Sequence, residues 1–502
     1  MLIDIGARRG LFMIRRATAV TVRCPCFYLV AAAMIGYGVF ATLEYERLGG
    51  YVGAVDLGIF YQAVQGWAFH ADPYVAIKGF SQLGDHFTPA WALLAPLLWI
   101  HNSPYSLVLA QVVLLSLSGV PVYLALRRML GSWRATGITA AYLASSGLQH
   151  AVAFPVHEVM FAVPLIAWAL ERMLAGRWTW AVVLMCCLCL VKEDLNLMTA
   201  AFAVLALVHR KWRHAAFLAI WGVGLYLLTV KVLIPSFSPE GYTYLGQYTS
   251  TLHASNSVQL VLSIIEHPLN VLHLLISNHT KRELWFLLLA PVCGLALASP
   301  ITLLAVPELL SRLLSSDSSL WSSNYHYDAP LMPILFIGAV DGLQRLTRIV
   351  ARYADEERRK SAFRYASAGF ACATIAVTVH LDPRLPLGLW SSKHNTGYQA
   401  SAAWNAELRK AIVAVPRGVT VEATNHVAVP LLNRDTVTLT SADPTSDWAV
   451  LDLSAYGGGT DPEAVPYVDG LLHGGWQLVT RDGSIVVLHR VDGAVEAGGE
   501  KS

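Results

Sequence analysis

The sequence has 502 residues, 55% of them hydrophobic, and a mean hydropathy of +0.49. Only 14% are charged, against roughly 25% in soluble globular domains, which excludes a single soluble domain and excludes disorder. The net charge of +2 gives no reason to expect a nucleic-acid partner, which needs a concentrated basic surface.

Residues 1–26 carry Arg8, Arg9, Arg15, Arg16 and Arg23 ahead of an apolar run. That run, Phe27 to about Leu43, is long for a signal peptide and lacks a small-residue cleavage site. It reads as a first transmembrane helix behind a cytoplasmic basic tail. Further apolar stretches near the ~20 residues a bilayer requires lie at about 104–126, 135–154, 159–175, 215–234, 329–346 and 363–381. Shorter ones lie at 178–192, 195–209, 284–299 and 301–314. The piece 88–100 is too short to be a confident span. If it lies in the interface, the loops with Arg127, Arg128 and Arg134, with Arg172 and Arg177, and with Arg210, Lys211 and Arg213 all face the cytoplasm. So does the basic run from Arg345 to Arg364, as the positive-inside rule asks. The expectation is an all-α polytopic protein of about eleven spans over 27–382, in a bacterial plasma membrane with its N-terminus cytoplasmic.

Residues 383–502 are richer in charge. β-branched apolar runs fall at Val419–Thr424, Thr436–Thr440, Trp448–Leu453, Trp476–Thr480 and Ser484–His489, with helical patterns at Ala400–Val415 and Pro462–His473 and a Gly457-Gly458-Gly459 loop. This predicts a small extracytoplasmic α/β domain. The seven cysteines (24, 26, 186, 187, 189, 293 and 372) include none in this part, so no disulfide framework is expected. Cys24 and Cys26 lack the second pair a zinc site needs.

The informative residues are the polar ones expected at the outer face. Asp56 opens a stretch in which Leu57, Phe60, Tyr61 and Val64 share a helical face, which predicts an amphipathic interfacial helix over 56–68. Asp56 is either its N-cap or a catalytic carboxylate. Asp85-His86 precede the second interfacial piece, as caps, metal ligands or phosphate contacts. His157-Glu158 occupy a turn with almost no loop, where ionisable residues are expensive and usually functional; such donors suit a divalent cation. Lys192-Glu193-Asp194 form another hairpin tip, either solvated or recessed in a cavity. Arg312 in an apolar helix either pairs with Glu308 or binds phosphate through its planar fork. His326, between Tyr325 and Tyr327, is an interfacial anchor or a weaker phosphate ligand. The topology puts all of these on the face that carries the α/β domain, the pattern of an active site at the membrane surface.

The series Asp56-Leu-Gly-Ile-Phe, Gly84-Asp85-His86-Phe87, His157-Glu158, Lys192-Glu193-Asp194 and Tyr325-His326-Tyr327 resembles a bacterial family of predicted membrane proteins grouped with the GT-C superfamily of membrane glycosyltransferases. The likeness covers most of 27–453. It implies a polyprenyl-phosphate-linked sugar as donor, a cell-envelope glycan or glycolipid as acceptor, and two interfacial helices in the first outer loop with a catalytic Asp. Asp56 matches the base, assisted by Asp85 or His86. Lys192, Arg312 and His326 are the phosphate and donor candidates. His157, Glu158, Glu193 and Asp194 are candidates for a divalent cation, Mg or Mn. The competing readings are a lipid or glycolipid transporter or flippase, and a non-catalytic binding protein on the same scaffold.

Overall fold

The computed structural model describes residues 25–47, 54–154, 156–381, 402–442, 444–454 and 461–491. The basic tail up to residue 24, Pro155, the junction at 382–401 and the Gly457-Gly458-Gly459 loop lie outside the described residues.

Helix α1 (Pro25–Arg47) opens the bundle. A helical segment, α2, follows in three pieces, Ala54–Gly58, Ile59–Gln65 and Gly66–His70. The small hairpin β1 (Tyr74–Val75) and β2 (Phe80–Ser81) leads into one turn of helix, α3 (Gln82–Asp85). Then come α4 (Pro89–Ile100) and α5 (Pro104–Leu130). The start of α5 is encoded locally: Pro104 fits the first turn and the Ser103 hydroxyl accepts from Tyr105 N–H, satisfying a donor that the helix itself leaves open.

The bundle continues through α6 (Ser132–Leu143), α7 (Ser146–Ala153), α8 (Val159–Leu174), α9 (Trp178–Leu190), α10 (Leu195–Val208) and α11 (Trp212–Phe237). Helices α10 and α11 approach closely at Gly222, where a Cβ would stand 2.6 Å from Asn196 O and from Ala200 N. Next are α12 (Tyr244–Glu266) and α13 (Pro268–Leu275), bent by 95°. They are followed by α14 (His279–Leu289), α15 (Val306–Leu313), α16 (Leu331–Val350) and α17 (Glu356–Leu381).

Helices α1, α5, α11 and α17 are long and apolar enough to cross a membrane alone. Phe217, Ile220 and Val223 of α11 are exposed, as lipid-facing residues of a span are. Helices α9 and α10 are shorter; among the described residues four helices have spanning length, or five if the bent pair counts as one span, against the eleven spans expected from the sequence. The bent α12–α13 pair was not expected from the sequence, because His267-Pro268 interrupts its apolar pattern.

The C-terminal part is a five-stranded mixed sheet. Its elements are α18 (Ala402–Val413), β3 (Thr420–Ala423), β4 (Thr436–Leu439), β5 (Trp448–Asp452), α19 (Ala464–His473), β6 (Trp476–Asp482) and β7 (Ile485–Arg490). The strand order is β4-β3-β5-β7-β6. Strand β3 runs parallel to β4 and β5, while β7 is antiparallel to β5 and β6. All five expected β-branched runs form strands. On the parallel strands β3 and β5, Val421, Ala423 and Val450 are buried on one face and Ala449 and Leu451 on the other, as parallel strands covered on both faces require.

Helix α2 departs from the interfacial expectation. Leu57, Phe60, Tyr61 and Val64 are buried as their shared face predicts, but Ile59, Gln62 and Ala63 are buried too. The C-terminal domain explains this. Gln62 Nε2 donates to Val437 O at 2.8 Å, and Val55 N–H donates to Asn425 Oδ1 at 2.9 Å. Helix α4 keeps the interfacial character, with Trp91, Leu94 and Leu98 buried and Leu93, Trp99 and Ile100 exposed.

Candidate active site

Asp56 lies in the first turn of α2. Its Oδ1 is 3.4 Å from His157 Nε2. The position of His157 comes from α5: Gln111 Oε1 accepts from His157 N–H at 3.1 Å, and Gln111 Nε2 donates to Ala151 O at 2.7 Å. A buried amide thus ties down the tight turn before α8. The His157 ring stacks on His326 at 3.6 Å between centroids, with Phe154 against both. Burial and the neighbouring His157 push His326 well below the usual imidazole range, which keeps its ring neutral in the stack.

Glu158, next in the chain, pairs with Lys192 Nζ at 2.8 Å. Both sit at helix ends, Glu158 before α8 and Lys192 between α9 and α10. Burial alone would raise the Glu158 carboxyl, but Lys192, aided by His157 and His86, holds it well below the ordinary carboxylate range. Its second oxygen has no hydrogen-bond partner among the described residues.

Glu193 turns the other way. Its carboxylate meets His86 Nδ1 at 2.7 Å and accepts from Phe87 N–H at 3.2 Å. Burial would lower the His86 imidazole, but Glu193 overcomes this and raises it. Asp85 is held by Lys78 Nζ at 2.6 Å and by the Tyr244 hydroxyl at 2.8 Å. Burial opposes its charge, and His86 and Lys78 together pull the carboxyl below its usual value. Tyr244 also stacks on His86 at 4.4 Å. Lys78, Tyr244 and Gln111 are thus site residues that the sequence reading did not single out. Only Gln111 carried a signal, as an amide inside an apolar helix.

Arg312 is placed differently. Its Nη1 meets Asp328 Oδ1 at 2.7 Å, its Nε donates to Leu320 O at 2.9 Å, and its face lies over the Tyr327 ring. Both charged groups are 2% exposed. The guanidinium fork thus closes the loop that presents His326. The residues considered for a cation are also engaged elsewhere: Glu158 with Lys192, Glu193 with His86, and His157 with Asp56. Asp194, at the start of α10, has one carboxylate oxygen without a hydrogen-bond partner among the described residues. Among the described residues, no three His, Cys, Asp or Glu side chains gather as a metal ion needs.

An apolar groove of about 520 Å³ opens beside this cluster between α9 and α11. Its lining includes Cys186, Leu190, Trp221, Leu225 and Leu233, and it reaches Phe87, the residue after His86. Phe87 and Leu190 bring the groove within two chain positions of His86 and Lys192.

The chain belongs to the family of predicted membrane proteins DUF2079, which matches residues 50–455. Its fold is similar to that of ArnT from Cupriavidus metallidurans. The ArnT crystal structure bound to undecaprenyl phosphate superposes with a TM-score of 0.53 at 14% identity, covering 94% of this chain and 99% of that one. The apo state gives a TM-score of 0.53 at 14% identity, covering 97% of this chain and 100% of that one. The GT-C-like membrane fold expected from the sequence is the fold found. No curated protein matches the sequence.

Proposed function

We propose that this protein is a membrane glycosyltransferase that transfers a sugar from a polyprenyl-phosphate donor to a cell-envelope acceptor at the extracytoplasmic face. The observation that carries this reading is the junction of the apolar groove with the buried charged cluster. A groove with almost no polar lining suits an isoprenoid tail, and its lining residues Phe87 and Leu190 lie within two positions of His86 and Lys192, which suit a phosphate. The similar fold of ArnT, crystallised with undecaprenyl phosphate, supports the same ligand class.

In the reaction, the acceptor hydroxyl oxygen attacks the anomeric carbon of the donor. Its proton passes to the Asp56 carboxylate, which acts as general base. The bond from the anomeric carbon to the phosphate oxygen breaks with its electron pair, and polyprenyl phosphate leaves. One displacement inverts the anomeric centre. Lys192 offers donors beyond the one given to Glu158, and His86, whose imidazole Glu193 pushes up toward its protonated form, adds a second donor for the leaving phosphate. Asp85, tied to Lys78 and Tyr244, anchors the chain immediately before His86. His157, stacked on His326, orients the base. No step runs through a cation.

The test is purified protein in liposomes with a radiolabelled polyprenyl-phosphate sugar. Asp56→Asn keeps the shape of the side chain and removes the base. It should lower turnover by about 10²–10⁴-fold while donor binding persists. Turnover equal to that of the unchanged protein would remove Asp56 from this role.

A further inference from the structure

A second cavity lies at the other end of α2. It is a polar cleft of about 570 Å³ between the 62–76 segment and residues 432–436 of the C-terminal domain, within the size range of small-molecule sites. One wall carries Phe69, His70, Asp72 and Tyr74; the other carries Asn433 and Thr436. Phe69 is 48% and Tyr74 51% exposed, and they face a polar wall. Half-exposed rings opposite amide, hydroxyl and carboxylate groups match a ligand with an apolar C–H face and hydroxyl edges. That is the surface of a sugar ring, and aromatic side chains with a polar handle nearby serve such mixed surfaces.

Both walls are built in advance. Gly66 lets the chain fold back on itself, because a Cβ there would lie 2.1 Å from Asp72 O. Ala71 takes up a left-handed conformation at φ 55° to complete that reversal. The Gln62 amide bridges the two walls, donating to Val437 O and accepting from Ile77 N–H. Across the cleft, Arg434 donates to Ile412 O at 3.0 Å, and Asp435 accepts from Gly418 N–H at 2.9 Å. Neither wall has to order itself when a ligand arrives, which removes one cost of binding.

The cleft and Asp56 sit on one helical segment. Ten residues separate Asp56 from Gly66, about 15 Å at the rise of a helix. A chain of several sugars spans that distance. We propose that this cleft binds the saccharide part of the acceptor, with the units beyond the reacting hydroxyl held between Phe69, Tyr74 and Asn433. The proposal rests on the glycosyltransferase reading and adds to it the substrate class and its site. Binding energy from these remote units would then serve to align the hydroxyl at Asp56.

The experiment uses the full chain in nanodiscs and saturation-transfer NMR. The probes are neutral trisaccharides of glucose, galactose, mannose and N-acetylglucosamine. At least one should receive saturation from the protein. Asn433→Trp, which fills the cleft, and the Phe69→Ala/Tyr74→Ala double variant should each lower that signal at least fivefold. Asp56→Asn should retain it. No signal from any trisaccharide, or a signal that survives both cleft variants, overturns the proposal. Donor turnover is assayed on the same sample. Turnover without a saccharide signal sinks the cleft alone. A cleft-dependent signal without turnover leaves the cleft standing as a saccharide site and sinks the transferase reading.

Discussion

The two buried carboxylates in this site have different partners, and the partners set their roles. Glu158 faces Lys192 and Glu193 faces His86. Each pair is a charge taken out of water and repaid chiefly by its partner, so removing one member leaves the other largely uncompensated. Lys192→Met should therefore lower stability by about 3–5 kcal/mol and lower turnover as well. The double variant Lys192→Met/Glu158→Gln removes both charges and should recover most of the melting temperature. Turnover should stay about 10²–10³-fold down, because no group replaces the ammonium at the phosphate. A double variant that recovers both would make Lys192 a structural residue. At this scale the sequence was informative where charge is rare: in a chain with 14% charged residues, an acid or a histidine beside an apolar run stands out. It could not say that Arg312 meets Asp328, because the pairing depends on a loop whose path is set by backbone carbonyls. Lys78 and Tyr244 were hidden for a related reason, since polar residues are ordinary in the loops that hold them.

Between elements, the unexpected contact is the one from the C-terminal domain to α2. The first N–H groups of any helix lack partners within it. Here a residue 370 positions away supplies one: Asn425 Oδ1 accepts from Val55 N–H at 2.9 Å. Asn425 follows β3, so the sheet caps the helix that carries Asp56. Asn425→Ala should cost about 1 kcal/mol, as the loss of other caps does, and the loss should be local. Hydrogen–deuterium exchange over residues 54–60 should speed up while the sheet core exchanges as before, and Asn425→Asp should restore slow exchange. Equal exchange in all three proteins would show that the cap does not order α2. The strands themselves were legible from their β-branched runs, since alternation and turn residues are local signals. The burial of all sides of the middle piece of α2, residues 59–64, was not, because the pattern of one helix cannot reveal that a second domain covers its outer face.

Across the whole molecule, two ends of the bundle carry different chemistry. Helix α8 begins just after His157 and Glu158 and carries Arg172, which pairs with Glu171, in its last turn; Arg128 reaches the same carboxylate at 2.9 Å. Helix α16 begins beside His326 and Asp328 and ends near Arg348. Both helices thus run from the charged cluster to an arginine-rich end. At that end Arg134 also reaches the backbone of Arg364 on α17. Arginines near helix ends mark the cytoplasmic side, so the cluster, the cleft and the C-terminal domain should face away from the cytoplasm. That orientation suits the proposed reaction, whose acceptor lies in the cell envelope. A cysteine-reactive reagent that cannot cross the membrane tests it. Relative to the background from the native cysteines, Ala442→Cys on the C-terminal domain should label in intact cells. Glu357→Cys, at the start of α17, should label only after lysis. The opposite pattern would place the cluster in the cytoplasm and exclude transfer at the outer face, because both residues are exposed and differ only in the end of the bundle they occupy.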